Sequence, residues 1–262
     1  MSGAASIDYL LHLADNALIL GQRNAEWCGH GPILEEDIAM ANIGLDHIGQ
    51  ARLIYQHVAA VKGDGCTEDK LAYFRNPEEF RNYVLLELPH NTAFAPSAAV
   101  ERDYSVTIAR NFLYASLMML VWEALQSSED AQLAAIAAKS FKEVRYHLRH
   151  STDWVLRLGD GTDESHARMQ AALNYLMPYT QEFWSPSAVQ TDAVTAGVAV
   201  DMQTLRSRWQ ASVDAVLAEA TLAPSSAAGH MTRGKDGVHS EHLSYLLAEM
   251  QSLARAHPEA VW

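Results

Sequence analysis

Apolar residues at helical spacing run through nearly the whole chain, and this periodicity constrains the fold more than any other feature. A face of residues three and four apart marks a first helix over about 6–28: Leu10, Leu13, Ala14, Ala17, Leu18 and Gly21. A second helix over about 33–63 carries Ile38, Ala41, Leu45, Ile48 and Leu53. No region shows the sustained alternation that is typical of strands. The chain is therefore predicted to be all-α.

Glycine, proline and capping residues divide the remainder into further predicted helices. The segment Asn76-Pro77-Glu78-Glu79 is typical of a helix start, because it offers an Asn cap, a Pro at the first helical position and acids behind it. This helix should end before Pro89. The other helices are predicted over about 97–127, 130–158, 163–177, 200–220 and 240–257, with a loop over 221–239.

A Gly-Asp-Gly stop occurs twice, each time after a pair of long helices. Gly63-Asp64-Gly65 follows the first pair and Gly159-Asp160-Gly161 the second, each with a Thr and a Glu behind it. Two helical hairpins joined by a long crossover form a ferritin-like four-helix bundle. The alternative is that the Gly-Asp-Gly stop occurs twice by chance, and this repeated motif alone does not decide between a structural repeat and chance. We predict an all-α, ferritin-like four-helix bundle with additional C-terminal helices. It is expected to be one domain over 1–262, with the core bundle at about 6–160 and accessory helices at about 162–257.

Charge and cysteine usage limit the classes of partner. The chain has 19 Lys and Arg against 32 Asp and Glu, a formal net charge of −13, which argues against nucleic acid or an anionic membrane as a partner. Cys28 and Cys66 lie in no metal-binding or disulfide motif, as suits a reducing cytoplasm. The first basic residue, Arg23, follows two acids, unlike a signal peptide. The most apolar stretch, 112–122, is too short to span a bilayer. We therefore expect a cytoplasmic protein.

The ligand motif of a ferritin-like di-iron centre is poorly represented. Such a centre takes one Glu from each of two helices and a Glu-x-x-His from each of the other two. Glu87-Leu88-Pro89-His90 is the only Glu-x-x-His in the sequence, and its proline interrupts the helix. Asp163 and His166, and likewise Asp236 and His239, have the same spacing but lie at a helix start and in a Gly-rich loop.

The sequence nevertheless offers candidate ligands for a degenerate di-iron site. If the first two helices turn about residue 31, Asp15 and Asp46 lie level at mid-bundle, and the fourth helix adds Glu143, with His147 as a further candidate ligand. Gly49 and other non-ligands stand where the motif requires histidine, and the third helix has no carboxylate over 104–122.

We therefore predict no catalytic residue, no cofactor and no bound metal in this chain. The carboxylates should form a polar network or lie on solvated faces, with Asn42 and Gln50 on the same stripe as Asp46. The candidate cations are Arg52, Arg110 and Arg145. The two histidines of the fourth helix, His147 and His150, are expected at the surface or an interface rather than at a metal.

Short segments spread over nearly the whole chain resemble one known family. They are Leu20-Gly21-Gln22-Arg23, 26–32, 42–46, 49–52, 142–147, 157–162, 237–243 and 248–251. Taken together, they are similar to the PaaC family, which supplies one of the subunits of the ring-epoxidising monooxygenase phenylacetyl-CoA epoxidase.

The resemblance implies a role in aerobic phenylacetate degradation. The family belongs to a bacterial multicomponent monooxygenase that converts phenylacetyl-CoA to a ring epoxide. In that system a homologous catalytic subunit, PaaA, carries the di-iron centre, and a reductase passes electrons from NADPH. The resemblance therefore implies that this chain is a non-catalytic structural subunit, with iron in its partner.

Two other functions remain open from the sequence. The chain could be an active ferritin-like di-iron oxidase or oxygenase with an atypical ligand set, which would bind iron through residues such as Asp46 and Glu143. It could also be a stand-alone helical protein that binds an acyl-CoA or a protein partner without a paralogue.

Overall fold

The predicted all-α class is confirmed. The structure, a computed structural model, describes residues 6–91 and 102–260, and in that part of the chain helices form all regular structure except one isolated bridge between Arg233 and Val238. The α-helices are α1 (Ile7–Ala25), α2 (Leu34–Lys62), α3 (Glu68–Tyr73), α4 (Val84–Glu87), α5 (Tyr104–Leu125), α6 (Ala131–Gly159), α7 (Asp163–Leu176), α8 (Ala188–Thr195), α9 (Met202–Glu219) and α10 (Glu241–Ala256).

The chain divides into two compact units. The described part of the first unit is 6–88 with 233–260, which contains α1 to α4 and α10. The described part of the second unit is 89–91 with 102–232, which contains α5 to α9. Each unit is built on one long helical hairpin of the kind that a ferritin-like fold uses. The expectation of a single domain over 1–262 stays a prediction.

The hairpin of the first unit is α1 against α2. The Ser6 side chain caps α1 by accepting a hydrogen bond from the backbone N–H of Tyr9. The two helices approach closely at Gly21 and Gly44, where a Cβ on the first glycine would lie 3.2 Å from the carbonyl oxygen of the second. α2 ends at Gly63, whose φ of 67° lies in the left-handed region that glycine tolerates.

The predicted helix over 76–88 is wrong as one continuous element. A 3-10 turn forms at the predicted cap, an extended segment follows, and only the short α4 is helical. Tertiary hydrogen bonds explain the break. The backbone N–H of Arg81 donates to the Asp15 carboxylate, and that of Tyr83 donates to the Asn16 side chain, so neither N–H is available to a helix.

The C-terminal helix closes the first unit. α10 packs on α3, and the Gln251 side chain donates to the carbonyl oxygens of Ala72 and Arg75, both at 3.1 Å. The preceding segment is a loop as predicted, apart from a short 3-10 turn at Gly234–Asp236.

The hairpin of the second unit is α5 against α6. Its antiparallel direction follows from an edge contact between the rings of Tyr104, at the start of α5, and Trp154, near the end of α6. By length and composition α5 could cross a membrane, but 89% of that apolar window is buried inside the protein, as expected of a core helix. The helix predicted over 97–127 begins only at Tyr104, because the Asp103 side chain caps it there by accepting from the backbone N–H of Ser105. The predicted residues 97–101 lie outside the described residues.

Shorter elements complete the second unit. The chain continues beyond α7 as a 3-10 helix, Met177–Trp184, and α8 follows; neither was predicted. Trp184 and Trp209 meet with ring centroids 5.3 Å apart, and the Trp209 indole donates to the carbonyl oxygen of Leu113 on α5. This aromatic cluster places α9 against the core of the unit.

Candidate functional site

A fully buried carboxylate, Asp15 on α1, is the centre of the polar network in the first unit. Its oxygens accept hydrogen bonds from the Tyr55 hydroxyl at 2.5 Å, from both terminal nitrogens of Arg75 at 2.5 and 3.0 Å, and from the backbone N–H of Arg81 at 2.7 Å. Four donors therefore converge on one carboxylate, and they use its lone pairs completely.

The guanidinium of Arg75 neutralises this carboxylate. Arg75 also donates to the carbonyl oxygens of Leu71 and Glu79, and its Cζ atom lies 4.2 Å from the centroid of the Phe80 ring. Burial alone would lower the pKa of Arg75, but the charge of Asp15, its hydrogen bonds and the other acidic groups nearby together outweigh burial and raise that pKa above its usual value. The result is a buried, fully hydrogen-bonded ion pair without a vacant coordination position.

Two neighbouring groups are held neutral. Burial, followed by the charge of Asp15, raises the pKa of the Tyr55 hydroxyl well above its usual value, so it stays a donor. Burial also lowers the pKa of His12, one turn before Asp15 on α1, to about 4. The Nδ1 of His12 lies 2.7 Å from the carbonyl oxygen of Arg81, and because a carbonyl only accepts, this nitrogen carries the proton.

The register between α1 and α2 differs from the predicted one. Gly21 faces Gly44 and His47, whereas Asp15 lies level with Tyr55. Asp46 is therefore level with Gly21, roughly 9 Å along the helix axis from Asp15 at 1.5 Å per residue. The prediction that Asp15 and Asp46 lie level is wrong, because the hairpin turns further along the chain than residue 31.

Glu143 and His147 both lie on α6, in different environments. The Glu143 carboxylate accepts from the Lys139 ammonium one turn earlier, at 2.8 Å. His147 is buried, contrary to the expected surface position, because it falls in phase with Val144 and Ser151 on the inner face of the helix. The exposed aromatic residue of this segment is its neighbour Tyr146.

The cations expected beside the carboxylates lie elsewhere. Arg52 is exposed and pairs with Glu68, Arg145 is exposed, and Arg110 is buried with its guanidinium 2.9 Å from the Nδ1 of His90. The functional cation, Arg75, was missed. It follows α3 outside any helical stripe, and the only available signal was the general need of a buried carboxylate for a counter-charge.

A second buried carboxylate joins two of the motifs considered as ligands. Glu87, from the interrupted Glu-x-x-His, contacts the Nδ1 of His239, from the Gly-rich loop, at 2.8 Å. Its oxygens also accept from the Asn82 side chain and from the backbone N–H of Ser240. The other ring nitrogen of His239 lies 3.0 Å from the carbonyl oxygen of Phe80. This cluster fastens the C-terminal segment to α4 within the first unit.

The donors present do not fit the di-iron centre that a ferritin-like fold implies. Across 6–91 and 102–260, no three or more His, Cys, Asp or Glu side chains are grouped so that they could hold a metal ion. The carboxylate of Asp15 is paired with Arg75, and the carboxylate of Glu87 is in contact with His239 and its neighbours. Neither carboxylate is therefore available as a metal ligand. No reaction step is therefore assigned to a metal in this chain.

The first unit also has an open groove between α3 and the end of α10. It has a volume of about 910 Å³, and its walls include Tyr73, Phe74, Met250 and Leu253. Lys70 at its edge donates to the carbonyl oxygen of Gly65. None of the groups in the two buried carboxylate networks lines this groove.

Comparison with known proteins identifies the family of the chain. The chain is 44% identical over 254 residues to a protein of Escherichia coli (strain K12) that is named as one of the subunits of 1,2-phenylacetyl-CoA epoxidase, and the match covers 97% of this chain and 98% of that protein. The model of the family PaaA_PaaC, described as phenylacetic acid catabolic protein, matches residues 2–262. The chain therefore belongs to the PaaA_PaaC family of phenylacetic acid catabolic proteins.

Proposed function

We propose that this chain is a non-catalytic, structural subunit of a cytoplasmic phenylacetyl-CoA epoxidase. In this proposal it pairs with the homologous di-iron catalytic subunit, PaaA, and a reductase supplies electrons to the complex. The name of the E. coli relative supports membership of a multisubunit epoxidase. The observation that carries the non-catalytic role is the Asp15–Arg75 ion pair.

The ion pair supports this role for a chemical reason. A carboxylate that binds iron must offer lone pairs to the metal, and its charge is balanced by the metal. Here the Arg75 guanidinium supplies that charge through two hydrogen bonds, and the Tyr55 hydroxyl and the backbone N–H of Arg81 donate to the same oxygens. The iron of the complex is therefore assigned to the partner subunit, and this chain contributes a rigid helical surface.

Metal analysis of the purified chain tests the proposal. The chain is expressed alone and together with the PaaA-type subunit, and iron is measured per mole of each purified protein. We expect only traces of iron in the isolated chain, and a stable mixed complex that contains iron and epoxidises phenylacetyl-CoA.

The control variants are Asp46→Ala and Glu143→Ala in the isolated chain. The proposal fails if the isolated chain holds about two irons, the content of a ferritin-like di-iron centre, and if either substitution removes them. It also fails if the chain stays separate from the PaaA-type subunit, since that outcome favours a stand-alone binding protein.

A further inference from the structure

The helix α2 presents apolar side chains on two opposite faces. One face is buried within the first unit and includes Met40, Ile43, Ile54 and Val58. The other face is exposed, with Leu34, Ile38, Leu45 and Ile48 leaving 72%, 53%, 66% and 37% of their surface accessible. A surface helix normally keeps only its inner face apolar. Contiguous exposed apolar residues of this size mark an interaction surface.

The spacing of the exposed residues indicates what covers them. With Ala41 included, the five positions 34, 38, 41, 45 and 48 follow steps of four and three residues. We call these five residues the α2 stripe. A period of 3.5 is the seam along which one helix packs against another by inserting knobs into holes. The stripe is roughly 21 Å long at 1.5 Å per residue, so it suits a helix of about four turns.

The charges beside the α2 stripe are of one sign. Glu35, Asp37 and Asp46 flank it, and the first Lys or Arg on α2 is Arg52, which pairs with Glu68. The complementary helix therefore carries an apolar seam with Lys or Arg at its edges. A second copy of this chain fits poorly, because a symmetric contact through the same face would bring the acids of one copy close to the acids of the other.

We propose that the α2 stripe is the surface on which this chain binds a helix of the homologous catalytic subunit. The inference rests on the proposed pairing of the two subunits, and it adds the surface of this chain at which they pair. The apolar seam supplies the buried centre of the interface, and the acidic edge selects a partner helix with basic flanks.

Charge substitution in the centre of the stripe tests the proposal. Leu45→Glu is compared with Tyr245→Glu, a control on α10 in the same unit whose tyrosine is 49% exposed. Both full-length variants are titrated with the purified PaaA-type subunit, and folding is checked by circular dichroism. We expect Leu45→Glu to weaken association at least about a hundredfold, because a carboxylate is buried unpaired at the interface centre, and Tyr245→Glu to leave it unchanged.

The outcomes separate the location from the pairing. If the wild-type chain binds and Leu45→Glu binds equally well, the location is overturned while the pairing stands. If the wild-type chain does not bind, both are overturned. If the wild-type chain is a dimer by itself and Leu45→Glu makes it a monomer, the stripe joins two copies and the proposed partner is wrong. Leu34→Gln, at the more exposed end of the stripe, replaces Leu45→Glu should that variant not fold, and we expect it to weaken association as well.

Discussion

Asp15 and Arg75 form an ion pair that is sealed from solvent, whereas the pairs Arg52–Glu68, Arg168–Glu164 and Arg208–Glu123 lie at the surface. A buried pair is costly to break, because the remaining charge is left without a partner and without water. The same pair at the surface contributes little, because solvent screens it. The two environments can be compared directly within the first unit.

Arg75→Met is expected to lower the free energy of unfolding by about 3–5 kcal/mol, since it leaves Asp15 buried and uncompensated. Arg52→Met, which removes the exposed pair with Glu68, should lower it by less than about 1 kcal/mol. Urea denaturation of the isolated chain measures both. Equal effects of the two substitutions would contradict the role assigned to the buried pair.

His12 makes the stability of the chain depend on pH. Its pKa is about 4 in the folded chain and 6.5 ordinarily, so the unfolded chain takes up a proton in that window and the folded chain does not. The free energy of unfolding should therefore fall as the pH drops from 6.5 to 4, by up to roughly 3 kcal/mol from this group.

The variant His12→Asn isolates this contribution, because its amide can still donate to the Arg81 carbonyl oxygen but does not titrate. Denaturation at pH 7 and pH 4.5 should show a smaller loss in the variant than in the wild type. An identical loss in both proteins would assign the pH dependence to other groups.

At the scale of elements, the long helices could be predicted because their signals are local. Apolar spacing and caps placed α1, α2, α6, α7, α9 and α10 within a few residues of their observed bounds. The helix over 76–88 could not be judged locally, because hydrogen bonds from Arg81 and Tyr83 to α1 decide it. α8 is short and carries little periodicity, so it left no comparable signal.

Two helical glycines should respond oppositely to alanine. A Cβ on Gly159 at the end of α6 would lie 2.5 Å from the carbonyl oxygen of Ala220, whereas a Cβ on Gly49 in α2 would meet no atom within 4 Å. Gly159→Ala should destabilise by about 1–3 kcal/mol through overpacking. Gly49→Ala should stabilise by about 0.5–1 kcal/mol through reduced backbone entropy of the unfolded chain. Calorimetric melting temperatures should move down and up respectively, and a rise for Gly159→Ala would refute the close contact.

At the scale of the whole molecule, the sequence could predict the class of fold and could show that the ligand motif of a di-iron centre is scarce, but it could not predict the ion pair at Asp15. Ligand spacing along single helices is local, so the missing motifs were visible. The counter-charge of Asp15 comes from Arg75, 60 residues away, and the helix register is set by the close approach of Gly21 and Gly44. Both depend on contacts that no sequence period encodes.

The internal cation also balances the buried charge of Asp15 without any contribution from a metal. Because Arg75 arrives with the polypeptide, the buried charge of Asp15 is balanced as soon as the first unit folds, whatever iron the cell contains. A protein whose buried carboxylates bind iron must take up the metal before the charge of those carboxylates is balanced. In an iron-starved cell the charge of Asp15 would accordingly stay balanced, because both members of this ion pair belong to the same polypeptide.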